Sequence, residues 1–202
     1  MALPGRLSDA DFYRAASCGA PPGEPCTGPL LRWNTEKPVR VALRPLAPAY
    51  AGRRKPRAEA ALTRALQELN ATGAGFRLTR VGARDLAEIS VYFLGVAPGD
   101  TIAGTGIGWV DGAAIGEVST RLAVDPETGR IRAAAVLVST GLATAAYEAA
   151  LLAALTGAMG LTAEISAPAY NGRSTLARQG TAPIRLAPQD AAALRLHYPP
   201  VR

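Results

Sequence analysis

The sequence predicts a single α+β domain preceded by a short arm, and three observations carry that prediction. Strict alternation in Val39-Arg40-Val41-Ala42-Leu43-Arg44 marks a strand with Val39, Val41 and Leu43 inward. Leu62, Leu66 and Leu69 recur at helical spacing between Arg57 and Ala71, with Gly73 as the stop. The stretch from Thr144 to Met159 places Tyr147, Leu151, Leu155 and Met159 four residues apart and carries one charge, Glu148. That pattern belongs to a central buried helix, with the lone carboxylate in its first turn facing the helix dipole favourably.

The remaining elements follow in order. Leu7-Ser8-Asp9-Ala10-Asp11-Phe12-Tyr13 offers a cap and a short helix. Residues 18–37 are punctuated by proline and glycine and read as an ordered arm, so the boundaries are 1–37 for the arm and 38–202 for the compact domain. Phe76-Arg77-Leu78 and Ile89-Ser90-Val91-Tyr92-Phe93 read as strands. Arg121-Leu122-Ala123-Val124 and Arg130-Ile131-Arg132 flank the turn Asp125-Pro126-Glu127-Thr128-Gly129 and predict a hairpin at the sheet edge. A long loop covers 166–182, and a closing helix runs from Pro188 to about Leu196.

At 202 residues, 49% of them hydrophobic, the chain can bury a full core, and no apolar run reaches the ~20 residues of a membrane-spanning helix. Lys and Arg number 22 against 16 Asp and Glu, and only Lys37 and Lys55 are lysines. This balance favours acidic partners, an anionic membrane surface among them. The densest cluster is Arg53-Arg54-Lys55-Pro56-Arg57, read as a solvated run before a helix and as the candidate contact for an anion or partner. It contains no aromatic residue, which argues against nucleic acid.

Cys18 and Cys26 enclose a Pro/Gly-rich loop, and their even number without metal-ligand spacing predicts a disulfide. On the loop-entropy model it stabilises the arm by about 2 to 3 kcal/mol. A disulfide implies the periplasm or the outside of the cell. Residues 1–15 contain no apolar leader core, so this expectation assumes that a leader was removed; the alternative is a cytoplasmic protein with reduced thiols.

Gly104-Thr105-Gly106-Ile107-Gly108 lacks the following helix that a phosphate-binding fingerprint needs and is read as a loop beside a cleft. With one histidine in the whole chain, His197, two histidines four apart on a helix are impossible. His197 is expected at the surface or part-buried on the last helix. A hydrolase built on Asp111, Glu117 or Glu148 stays open as an alternative, although nothing in the sequence brings any two of these together.

The segment Ala153-Ala154-Leu155-Thr156-Gly157-Ala158-Met159-Gly160-Leu161 resembles the end of a metzincin-type zinc protease helix, His-Glu-x-x-His-x-x-Gly-Leu. Aligned on Gly160, the resemblance places the first zinc ligand at Ala153, the general base at Ala154, the second ligand at Gly157 and the third at Ala163. Every one of these positions carries Ala or Gly. Ser174-Thr175-Leu176 sits where such proteases carry Ser-Ile-Met beneath the metal. Leu186-Ala187-Pro188-Gln189-Asp190 followed by Leu194-Arg195-Leu196-His197-Tyr198 resembles their closing helix. The chain is thus similar to a zincin-like family of uncharacterised bacterial exported proteins in which the metal motif is often eroded. The resemblance implies a mixed sheet with a long active-site-type helix and no cofactor. It also implies a catalytically inactive protein that serves as a binding or structural component of the envelope or of a larger complex, with a protein as partner. The groove is expected at the hairpin, with strand 130–138 and the 104–112 loop as the contact surface.

Overall fold

The structure, a computed structural model, describes residues 5–200. Four helices and five strands follow one another: α1 (Asp9–Cys18), β1 (Val39–Leu43), α2 (Arg54–Asn70), β2 (Leu78–Val81), β3 (Ile89–Phe93), β4 (Val118–Val124), β5 (Ile131–Val138), α3 (Tyr147–Ala158) and α4 (Pro188–His197). The strands form one sheet in the order β2-β1-β3-β5-β4. β1 runs parallel to β2 and β3, β3 runs parallel to β5, and β4 is antiparallel to β5 at the edge. The α+β class expected from the sequence is therefore present, with a mixed sheet.

Alternation along β5 divides the interior in two. Ala134, Val136 and Val138 join the main core with α2 and α3, while Ala135 and Leu137 pack on the opposite face against Leu94, Ile102, Val110 and Ile115. The 94–117 connection is thus a cover over the second face of the sheet. Residues of the N-terminal segment enter the main core too: Phe12, Ala16 and Trp33 are buried in it, and Phe12 lies 5.0 Å from Tyr170 between ring centroids. α1 begins at a Ser8 cap whose side chain accepts from Asp11 N–H and ends at Gly19 in the left-handed region. Cys18 and Cys26 are joined as a disulfide, with Cα atoms 5.8 Å apart.

Three boundaries differ from the sequence reading. α2 starts at Arg54, so the Arg53–Arg57 run forms its first turn and does not precede it. Pro56 fits there because first-turn residues donate no intrahelical bond. β2 begins at Leu78, where Asn70 at the end of α2 brackets the strand: Leu78 N–H donates to Asn70 Oδ1 at 2.8 Å and Asn70 Nδ2 donates to Leu78 O at 2.9 Å. Phe76 is instead turned edge-on to Tyr198, with centroids 5.3 Å apart. Of the two hairpin strands only β4 lies at a sheet edge; β5, expected on the contact surface, is paired on both sides.

Candidate functional site

Helix α3 is apolar because it is buried against α2 and the sheet strands β4 and β5. Its single acid, Glu148, lies in the first turn and pairs with Arg64 of α2 at 3.3 Å. At its other end Gly160 takes φ +98°, a region that disfavours side chains, and a Cβ there would run into the Leu31 carbonyl and His197 Nε2. The last carbonyls of the helix are taken up by two aromatic side chains. Trp33 Nε1 donates to Ala158 O at 2.8 Å, and Tyr198 hydroxyl donates to Met159 O at 2.7 Å. Trp33 N–H donates in turn to Tyr198 hydroxyl at 3.1 Å.

His197 belongs to the same junction and is fully buried, not at the surface as the sequence reading allowed. The Leu31 carbonyl, 2.8 Å from Nε2, can only accept, so Nε2 carries the proton and Nδ1 accepts from Tyr13 hydroxyl at 3.2 Å. Tyr13 hydroxyl also accepts from Arg32 Nη2 at 2.9 Å. Burial pushes the His197 pKa down to about 4; the bond to Leu31 opposes this and the Arg32 charge adds to it. The neutral ring is a structural pin between α1, the arm and α4.

A second buried polar group fixes the segment after α3. Asp190 in the first turn of α4 has no exposed surface and accepts from Ser174 Oγ (2.6 Å), Thr175 N–H (2.9 Å), Thr175 Oγ1 (3.1 Å) and Ala187 N–H (3.2 Å). Four donors on one carboxylate satisfy a charge that would otherwise be costly to bury. Ser174 Oγ further accepts from Leu176 N–H at 3.0 Å, so residues 174–176 are locked in place.

Between these fixed parts lies a cleft of about 360 Å³. Ala153, Ala154 and Gly157 of α3 form one wall, Leu161 to Glu164 with Ala163 and Thr175 to Ala177 form the floor, and Val118 and Thr120 of β4 form the rim. All four positions singled out by the sequence thus come together with the 174–176 segment in one depression. Thr120 Oγ1 ties β4 to the helix by donating to Ala154 O at 3.2 Å. Ser139 N–H donates to Glu117 O at 2.9 Å, and the β4–β5 register continues from that pair. By alternation the N–H and C=O groups of Val118, Thr120 and Leu122 point away from β5, along the free edge. Among the described residues no strand pairs with that side.

A catalytic zinc needs three protein ligands and an open position. Of the cleft-lining residues only Glu164 offers a strong donor, and among the described residues no three His, Cys, Asp or Glu side chains are grouped to hold a metal ion. The residues present do not fit a zinc centre. The carboxylates of the hydrolase alternative lie elsewhere and apart. Asp111 is bound within its own loop by Thr105 Oγ1 (2.7 Å), Thr105 N–H (3.1 Å) and Gly106 N–H (3.1 Å), and these bonds, led by the Thr105 hydroxyl, hold its pKa below the usual carboxylate range. A carboxyl so depressed is a poor general acid. Glu117 is exposed before β4, and Glu148 is committed to Arg64. The 104–112 loop expected beside the cleft sits on the other face of the sheet, where Val110 is anchored.

Arg53, Arg54, Lys55 and Arg57 are all exposed at the start of α2, and none of them lines the cleft. Sequence reasoning did not anticipate the capping of α3 by Trp33 and Tyr198 or the Asp190 clamp. The only signal for either was the closing-helix pattern, which names Asp190 and Tyr198 without their partners. No family model matches the chain, and a search of curated proteins finds no similar one.

Proposed function

We propose that the chain is a catalytically inactive zincin-like protein that binds an extended segment of a protein partner along β4, as a binding or structural component of the bacterial envelope or of a larger complex. The observation that carries this reading is the convergence of Ala153, Ala154, Gly157 and Ala163 on one cleft beside a free antiparallel edge. The cleft retains walls and floor but has no donor set for chemistry. The edge supplies what a peptide needs: outward N–H and C=O groups at Val118, Thr120 and Leu122 for main-chain pairing, with the depression alongside to receive side chains. The Cys18–Cys26 disulfide supports an oxidising compartment, and no helix among the described residues is long and apolar enough to cross a membrane.

The test is selection of linear peptides from a displayed random library against the disulfide-bonded chain, followed by hydrogen exchange of the complex. Bound peptide slows exchange at Val118, Thr120 and Leu122. The substitution Thr120→Pro removes an N–H that β5 does not use and abolishes binding, whereas Thr120→Val, which loses the same bond to Ala154 but keeps the N–H, retains it. Peptides that bind with the β4 amides unprotected, or equally well to T120P, would sink the reading.

A further inference from the structure

Far from the cleft, a groove of about 580 Å³ opens between the first turns of α2 and the end of β2, lined among others by Lys55, Glu59, Arg80 and Arg84. Its charge is lopsided. Glu59 is its only acidic side chain, against Arg44, Lys55, Arg80 and Arg84. Among the described residues Arg53, Lys55, Arg57 and Arg84 take part in no ion pair, although the chain makes such pairs elsewhere.

This arrangement is electrostatically unfavourable for the free protein. Cations in the first turn of a helix oppose its dipole, and α2 has neither an acidic residue in that turn nor a side-chain cap at Arg53. Like charges lining one concavity also repel more strongly than on an open surface. The facing wall is nonetheless held rigidly. Arg44 donates to Ala83 O at 3.1 Å and to Asp85 O at 2.9 Å, Asp85 accepts from Gly82 N–H at 2.8 Å, and Arg80 donates to Thr63 Oγ1 at 2.9 Å. A preorganised wall, unpaired cations brought from α2 and the β2–β3 loop, and a concave shape together fit a small polyanion.

We infer that this groove binds a phosphate group, with Lys55 and Arg84 as its principal cationic contacts and Arg80 lining the same groove. The site is independent of the β4 cleft, and neither reading depends on the other. Free phosphate compounds and lipid headgroups present the same chemistry to such a groove, through charge-assisted bonds.

The test uses the full disulfide-bonded chain at about 50 mM salt, where exposed charges are weakly screened. Sodium pyrophosphate is titrated by calorimetry, and vesicles of phosphatidylglycerol or of phosphatidylcholine are tested by flotation. The same measurements are made on the groove pair Lys55→Glu with Arg84→Glu and on a control pair of equal charge change, Arg130→Glu with Arg185→Glu. All four residues are exposed, so both pairs should fold; if the groove pair does not, Lys55→Ser with Arg84→Ser replaces it. The proposal expects affinity to fall at least about tenfold in the groove pair and less than about threefold in the control. Binding of pyrophosphate assigns a free phosphate compound; binding of phosphatidylglycerol vesicles without it assigns a lipid headgroup. Binding of neither probe, or equal losses in the two pairs, overturns the proposal.

Discussion

Gly157 and Gly160 stand three residues apart at the end of the same buried helix, and their surroundings are opposite. A Cβ placed on Gly157 meets nothing within 4 Å, whereas one placed on Gly160 meets the Leu31 carbonyl and the His197 ring. The first glycine belongs to the cleft wall and the second to the junction of arm, α3 and α4. The same contrast extends outward from each. Around Gly160 polar groups form a dense network: Ala158 O and Met159 O bond to Trp33 and Tyr198, His197 to Leu31 and Tyr13, and Asp190 to four donors. Around Gly157 the side chains are small and make no such network. At the junction an added side-chain atom meets backbone, whereas at Gly157 it meets open space. The junction is thus constrained by packing and hydrogen bonding, and the cleft wall at Gly157 is not.

The strongest way to break this comparison is Gly160→Ala. The substitution combines a positive φ with a clash against backbone, which cannot rotate away, so a loss above about 3 kcal/mol is expected, read as a fall in denaturant midpoint. A variant melting within a degree of the parent would show that Leu31 and α4 can separate from the helix end at little cost. The junction should next respond to acid. His197 titrates near 6.5 when unfolded and about 4 when buried, so the unfolded chain binds the proton first. Stability is therefore complete above about pH 6.5 and declines as the pH falls toward 4, by roughly 3 kcal/mol over the window. Asp11 and Asp125, whose pKa values hydrogen bonds depress to about 2, lose their native advantage only below that window. Unfolding curves at pH 7 and pH 4.5 measure the effect. His197→Gln should flatten the slope between them, and an unchanged slope would assign the acid sensitivity to another group.

These same particulars explain what the sequence disclosed. Periodicity located β1, α2 and α3 because their apolar residues recur at local spacing, the closing-helix pattern located α4, and the Asp125–Gly129 turn disclosed the hairpin. The cleft positions were legible as a group because they sit at fixed offsets on one helix and one loop, so a pattern in sequence becomes a pattern in space. What stayed hidden depends on long-range pairing. That β5 is interior follows only once β3 is known to lie beside it, and the burial of His197 requires Leu31 and Tyr13, more than 160 residues away in the chain. The Asp111 loop had the right turn chemistry, yet its placement on the far face of the sheet follows from Val110 meeting Leu137, which no local signal announces.

The smallest effect on the unliganded fold is expected at the cleft itself, where it also tests the alignment most sharply. Gly157 has open space for a side chain, Ala153 is half-exposed on the same helix face one turn earlier, and Ala163 lines the same depression. Replacing all three with histidine puts two imidazoles at i and i+4 and a third on the cleft floor, the donor number that zinc requires. Without metal the triple variant should lie within about 1 kcal/mol of the parent, since no packed contact is lost. With zinc it should gain melting temperature while the parent does not, because metal bound only by the folded form stabilises it by mass action. Zinc binding with one equivalent per chain would show that the three cleft positions share the geometry of a ligand set. A triple variant that folds but shows no zinc-dependent shift would mean that the three positions share a cleft without sharing the geometry of a ligand set, and the resemblance at Gly160 would then reduce to the closing of a helix.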